Sequence, residues 1–101
     1  MLTQLPRIQA LALAPHGIRV NAVGPGSIMT DVLASVATDA AARERILSRT
    51  PLGRIGMPAE VGEVVAFIAS DAASYMTGQV LYVDGGRMAL NYTMPVAKPN
   101  A

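Results

Sequence analysis

The sequence predicts an α/β fold in which two parallel strands are joined by a long helical connection. Residues 18–23 and 79–83 are nearly continuous in apolar character, which is typical of strands covered on both faces. The residues between them include two stretches with helical periodicity. A connection of that length excludes a tight hairpin and favours a right-handed crossover between parallel strands.

The first predicted helix spans residues 6–14 and has an apolar face formed by Ile8, Leu11 and the neighbouring alanines. Proline and glycine within residues 15–17 end it, because proline cannot continue the helical hydrogen bonding and glycine accepts the left-handed conformation beyond a helix end. The first strand, residues 18–23, follows directly.

A second helix is predicted from about residue 39 to residue 48, after a polar and small-residue segment that begins at Ser27. Thr38 or Asp39 is the expected N-cap, since both side chains can accept a hydrogen bond from the first turn. The residues on its apolar side are Ala42, Ile46 and Leu47. Residues 51–57 form the loop that follows.

The third predicted helix runs from Pro58 to Ser70. Proline suits the first helical position, and Glu60 complements the positive end of the helix dipole. Its apolar stripe consists of Val61, Val64, Val65, Ile68 and Ala69. A strand from Gln79 to Val83 then precedes a Gly-Gly turn, and residues 88–101 are expected to form an irregular tail of the single partial domain, residues 1–101.

Composition limits the classes of protein to which the chain can belong. It has 101 residues, of which 51% are hydrophobic and 15% charged, so an intrinsically disordered chain is not expected. Eight basic and seven acidic residues leave a net charge of +1 without a basic cluster, so we expect no nucleic-acid partner. With no cysteine and one histidine, we expect no metal site.

Membrane and secretory segments are not evident either. No apolar run approaches the roughly 20 residues needed to span a bilayer, and the N-terminal residues lack the pattern of a signal peptide. These observations favour a cytoplasmic protein with no membrane partner.

The segment that follows the first strand is the candidate site. Ligands of open parallel sheets bind beyond the carboxyl ends of the strands. The turn at Pro25 and Gly26 carries no bulky side chain, which leaves room for a flat ring. Peptide groups around Ile28 could hydrogen-bond an amide, and Thr30 offers a hydroxyl. Taken alone, the Pro-Gly pair is more typical of an ordinary strand-ending turn.

Three blocks of sequence resemble the short-chain dehydrogenases/reductases. They are PHGIRVNAVGPG (residues 15–26), GRIGMPAE (53–60) and SDAASYMTGQ (70–79), the last of which leads into VDGG (83–86). The blocks stand in the order and spacing of that family, whereas residues 1–7 show no resemblance. The resemblance implies the C-terminal part of a Rossmann-like doubly wound parallel sheet, with two parallel strands and about three helices.

The resemblance also implies a site and its ligands. The cofactor would be NAD or NADP, with Pro25 and Gly26 over the nicotinamide, the main chain of Ile28 on its carboxamide and Thr30 hydrogen-bonded to the cofactor. The substrate would be a small alcohol or carbonyl compound. Homo- or hetero-oligomer contacts would involve the helix from Pro58 to Ser70 and the strand from Gln79 to Val83.

The chain departs from the family at the reacting groups. The catalytic Tyr-x-x-x-Lys signature is missing, because the residues four positions after Tyr75, Tyr82 and Tyr92 are glutamine, glycine and valine. The glycine-rich phosphate turn, Thr-Gly-x-x-x-Gly-x-Gly, is missing too. No residue of this chain is therefore assigned a catalytic role.

Three interpretations remain open. The first is a truncated relative of an NAD(P)-dependent oxidoreductase, inactive alone, that supplies the nicotinamide-side wall and a substrate lid from about Ile28 to Arg54. The second is a non-catalytic module that docks on full-length family members. The third is a chain that does not fold stably by itself, because a two-stranded parallel sheet leaves its edges open.

Overall fold

A computed structural model describes residues 4–96; the first three and last five residues, including Lys98 and the end of the predicted tail, lie outside the described residues. Its helices and strands, in chain order, are α1 (Gln4–Leu13), β1 (Ala22–Pro25), α2 (Asp31–Ala37), α3 (Ala40–Ser48), α4 (Pro58–Ala69) and β2 (Val80–Val83). Short 3-10 turns occupy Ala14–His16, Asp71–Ala73 and Arg87–Ala89.

The two strands pair in parallel, as predicted, with Ala22 opposite Val80 and Pro25 opposite Val83. The predicted bounds of β1 are wrong, since the strand begins at residue 22 rather than 18 and ends at residue 25 rather than 23. The residues before Ala22 face a loop instead of a strand. There, the Val20 N–H donates to the Thr77 hydroxyl at 3.1 Å, so no regular ladder extends in that direction.

Asn21 joins this loop to the start of β2. Its side-chain amide donates to the Met76 carbonyl at 3.0 Å and accepts from the Gln79 N–H at 3.1 Å. The Ala22 N–H donates to the Gln79 carbonyl at 2.8 Å. One side chain thus satisfies both kinds of backbone group beside the first residues of the sheet and fixes the register of the strands.

The helix α2 was not predicted, so the described residues contain four α-helices rather than about three. Thr30 caps it by accepting a hydrogen bond from the Leu33 N–H at 3.3 Å, and Asp31 lies in its first turn. This combination is a helix-start signal. The other two crossover helices agree closely with prediction, and Asp39 caps α3 through the Ala41 N–H at 3.0 Å.

The predicted apolar face of α1 is buried only in part. Ile8 and Leu11 are 61% and 78% exposed, whereas Pro6 and Ala10 are buried. A Cβ placed on Gly78 would lie 3.4 Å from the Ala10 Cβ, so the helix approaches the loop before β2 through its small residues. The larger side chains consequently face outward.

The chain exposes more surface than a compact protein of its size. Its accessible surface is 7336 Å², whereas a folded monomer of this mass, 10.5 kDa, exposes about 5,400 Å². The radius of gyration is 16.5 Å, against about 13 Å for a compact domain of about 100 residues. Within residues 4–96 the buried apolar residues are few: Pro6, Ala10, Ala42, Leu47, Ile68 and Ala73.

Candidate functional site

The turn after β1 lies against the end of β2. The Gly26 N–H donates to the Val83 carbonyl at 3.0 Å, and a Cβ on Gly26 would lie 2.8 Å from the Cα of Asp84. Glycine is needed here because the two backbones approach closely. Asp84 occupies the space beside Gly26 on this side of the turn, and the expectation that the turn leaves room for a ring stays a prediction.

Ile28 pairs with Gly56 in an isolated parallel bridge. The Gly56 N–H donates to the Ser27 carbonyl at 3.0 Å, and the Met29 N–H donates to the Gly56 carbonyl at 2.8 Å. Because Ser27 and Met29, on either side of Ile28, make the bonds to Gly56, the N–H and C=O of Ile28 point away from that glycine. Neither group has a backbone partner within residues 4–96.

Thr30 stands two residues further on, at the exposed start of α2. Its hydroxyl oxygen accepts the capping bond from Leu33, which uses one lone pair and leaves the O–H free to donate. Thr30 can therefore cap the helix and bind a polar ligand at the same time.

An ion pair holds the loop that carries Gly56. The Arg54 guanidinium donates two hydrogen bonds of 2.7 Å to the two carboxylate oxygens of Glu60. One of those oxygens also accepts from the Met57 N–H at 3.0 Å. The hydrogen bonds from Arg54 and then from Met57 lower the pKa of Glu60 to about 2, and the same pairing raises the pKa of Arg54. The carboxylate thus stays charged at neutral pH.

A cleft of about 380 Å³ opens between the segment after β1, the loop before α4 and the turn after β2. Its lining includes Ile28, Leu52, Arg54, Glu60 and Tyr82. The Tyr82 ring lies over Gly24, where a Cβ would come within 2.6 Å of the ring. The cleft therefore has mainly apolar walls and contains the Arg54–Glu60 ion pair.

The Asp84-Gly85-Gly86 turn forms the far wall of the cleft. The Asp84 carboxylate accepts from the Gly86 N–H at 3.0 Å and from the Met88 N–H at 2.9 Å. Gly85 has a φ of +64°, and a Cβ there would lie 2.7 Å from the Thr50 methyl carbon. Sequence reasoning did not assign this turn or Gly56 to the site, although both belong to the glycine-containing blocks that carry the family resemblance.

A cluster of metal-ligating side chains is not assembled in the part of the chain that the structure describes. Residues 4–96 hold no cluster of three or more metal-ligating side chains, and they contain no lysine. Within the same residues, no helix has the length and apolar character needed to cross a bilayer.

Comparison with known proteins identifies the family. A family model described as enoyl-(acyl carrier protein) reductase matches residues 1–88, so the expectation that residues 1–7 lack any resemblance is wrong. An L-rhamnose 1-dehydrogenase (NAD(P)(+)) of Azotobacter vinelandii is 49% identical over 85 residues, which is 84% of this chain and 33% of the relative. A 3-oxoacyl-[acyl-carrier-protein] reductase of Thermotoga maritima is 53% identical over 77 residues, 76% of this chain and 30% of the relative.

Solved structures of similar proteins indicate the same family. A protein of Agrobacterium tumefaciens described as a 2-deoxy-D-gluconate 3-dehydrogenase, crystallised with NADP, matches 87% of this chain and 36% of its own, with 39% identity and a TM-score of 0.83. A short-chain type dehydrogenase/reductase from Mycobacterium ulcerans matches 92% of this chain and 34% of its own, with 36% identity and a TM-score of 0.84. The chain spans about a third of the length of the curated relatives it matches. The motif blocks, the parallel strand pair and these matches agree: the chain belongs to the short-chain dehydrogenase/reductase family.

Proposed function

We propose that this chain forms the nicotinamide-side wall of an NAD(P)-dependent oxidoreductase that interconverts an alcohol and a carbonyl compound. Family membership supports the reaction class, and the named relatives include an NAD(P)-dependent dehydrogenase and a structure crystallised with NADP. The observation that carries the proposal for this chain is the N–H and C=O pair of Ile28, which points away from Gly56 and has no backbone partner within residues 4–96.

The chemistry of the pair fits a carboxamide. A carboxamide has one acceptor oxygen and an NH₂ donor, so the Ile28 N–H donates to the first and the Ile28 C=O accepts from the second. The ligand then takes the place of a neighbouring strand. The O–H of Thr30, the N-cap residue of α2, adds a second donor two residues further along the chain. When bound, the nicotinamide supplies the hydride-transfer chemistry, and the residues named here bind and orient it.

Residues from about Ile28 to Arg54 form the proposed substrate lid. They contain α2 and α3, and Val32 on α2 is 78% exposed. An exposed helix with an outward apolar side chain is suited to close over an apolar substrate. Thr50, Pro51, Leu52 and Arg54 of this segment also line the cleft.

The chain alone is expected to show no turnover. General acid-base catalysis requires a titratable group positioned at the reacting oxygen, and the Tyr-x-x-x-Lys pair that supplies it in this family is missing from the sequence. Purified chain incubated with NADH or NADPH and a panel of ketones should oxidise no more cofactor than a heat-denatured sample. Ketone-dependent oxidation above that level would contradict this part of the proposal.

The binding part of the proposal is tested with two small ligands. Nicotinamide carries the carboxamide, whereas nicotinate replaces its NH₂ with a charged oxygen that the Ile28 carbonyl repels. With uniformly ¹⁵N-labelled chain, nicotinamide should shift the Ile28 amide signal in a saturable manner, and nicotinate should not. Equal responses to the two ligands, or none to either, would overturn the assignment of Ile28.

A second candidate function is a non-catalytic module that docks on full-length family members through α4 and β2. The supporting observation is apolar exposure on these elements, where Val65, Phe67 and Tyr82 are each more than 40% exposed. Co-expression with a full-length relative followed by size-exclusion chromatography tests it. Co-elution that Val65→Glu abolishes and Glu63→Gln preserves would support docking through α4, and separate elution of the unmodified chain would exclude it.

A further inference from the structure

One carboxylate anchors the loop before α4 on both sides of Gly56. Glu60 accepts from the guanidinium of Arg54, which precedes the glycine, and from the N–H of Met57, which follows it. Gly56 itself makes the two main-chain bonds that align Ile28. A Cβ placed on Gly56 would lie 2.9 Å from the Ile28 Cδ1 atom and 4.0 Å from the Glu60 Oε1 atom, so the three residues are packed together.

We propose that Arg54 and Glu60 are a positioning pair for the nicotinamide carboxamide. By fixing the loop on the first turn of α4, they hold Gly56 against the segment after β1 and keep the Ile28 N–H and C=O aimed at the ligand. Neither side chain touches the carboxamide in this arrangement, so their effect passes through Gly56. The inference rests on the proposed function, because it assigns a further role to residues that support the same site.

The size of the effect follows from the exposure of the pair. The side chains of Arg54 and Glu60 are 54% and 42% exposed, and an exposed ion pair with bidentate geometry contributes modestly. The ion pair can raise the affinity for nicotinamide only by the free energy with which it stabilises the loop conformation that binds the ligand. Loss of the pair should therefore weaken carboxamide binding by about two- to fivefold.

The experiment measures nicotinamide affinity at the Ile28 amide in ¹⁵N-labelled full chain. The variants are Arg54→Met, Glu60→Gln and the double variant, and the matched controls are Arg7→Met and Glu63→Gln, two exposed charges outside the cleft and outside the proposed lid. Each single variant should weaken binding by about two- to fivefold, the double variant should be no weaker than the singles, and the controls should match the unmodified chain.

Two further readouts separate positioning from general stability. Nicotinamide is uncharged, so a salt effect on its binding reports the ion pair; about 0.5 M NaCl should weaken binding to the unmodified chain and leave Glu60→Gln unchanged. The Met29 amide, which donates to Gly56, should exchange faster with solvent in both single variants while the amides of α3 keep their protection.

The outcomes distinguish the two proposals. If the unmodified chain shows no carboxamide-specific shift at Ile28, the proposed function fails, and the positioning role fails with it. If that shift occurs and the variants bind nicotinamide as tightly as the unmodified chain, or if the single effects add in the double variant, only the positioning role is overturned. Should Glu60→Gln unfold, Arg54→Lys, which keeps the charge but not the bidentate geometry, should give an intermediate affinity.

Discussion

The guanidinium of Arg19 donates a 3.0 Å hydrogen bond to the carbonyl of Ile68, near the C-terminal end of α4. It also donates to the carbonyls of Met76 and Ser70, each at 3.2 Å. These three acceptors lie on the helix end and on the loop that leads to β2. A single half-buried cation thus joins the segment before β1 to α4, where the helix dipole favours positive charge.

Replacing Arg19 with Met should lower the free energy of unfolding by about 2 to 3 kcal/mol, because hydrogen bonds from a charged donor are lost and the carbonyls stay partly buried. Urea titration followed by circular dichroism measures the change. Arg45→Met, at an exposed position on α3, should stay within about 0.5 kcal/mol of the unmodified chain. Equal stabilities for the two variants would show that the Arg19 contacts contribute nothing.

Gly26→Ala should destabilise the chain by about 1 to 3 kcal/mol through overpacking. The added methyl would meet the backbone of Asp84 at 2.8 Å, so the ends of β1 and β2 must move apart. The hydrogen bond from the N–H of residue 26 to the Val83 carbonyl should weaken accordingly. Hydrogen exchange measures this, because the amide of residue 26 should then exchange faster with solvent.

Gly62 provides the matched control for this substitution. It lies within α4, and a Cβ there would have no neighbour within 4 Å. Gly62→Ala should therefore stabilise the chain by about 0.5 to 1 kcal/mol, since alanine is the better helix former. If both alanine variants changed the urea midpoint in the same direction, close approach at Gly26 would not be the cause.

Acid should remove the contribution of the Arg54–Glu60 pair to the stability of the folded chain. The pKa of Glu60 is lowered from 4.5 to about 2 in the folded chain, so its stabilising effect is present above pH 4.5 and is lost as the pH falls from 4.5 through about 2. The difference in urea midpoint between the unmodified chain and Glu60→Gln should be largest near neutral pH and should vanish near the folded pKa. Glu63→Gln, compared in the same way, should show no such convergence.

The two faces of α1 should respond differently to substitution. Leu11 is 78% exposed, so Leu11→Gln should change the free energy of unfolding by less than about 0.5 kcal/mol. Ala10 is 3% exposed beside Gly78, so Ala10→Leu should force α1 away from the loop and cost about 1 to 3 kcal/mol. A larger loss for Leu11→Gln than for Ala10→Leu would mean that α1 packs on its other face.

Sequence patterns were reliable where a local rule determined the structure. The parallel relation of the strands followed from the long connection between them, and α4 followed from Pro58, Glu60 and a regular apolar stripe. The candidate site segment was predicted from its place after a strand and from the family resemblance. The helix α2 was missed because it is only seven residues long, although its start signal at Thr30 and the helical spacing of Leu33 and Val36 could have indicated it.

The sequence by itself determined the family, the order of most elements and the absence of the Tyr-x-x-x-Lys and glycine-rich signatures, because these depend on residue identity and spacing. Only the tertiary structure decided which face of α1 is buried, why Gly26 must be glycine and how Gly56 turns the main chain of Ile28 outward. Those features arise from backbones that meet across long sequence separations, and no local pattern encodes which atoms will come into contact there.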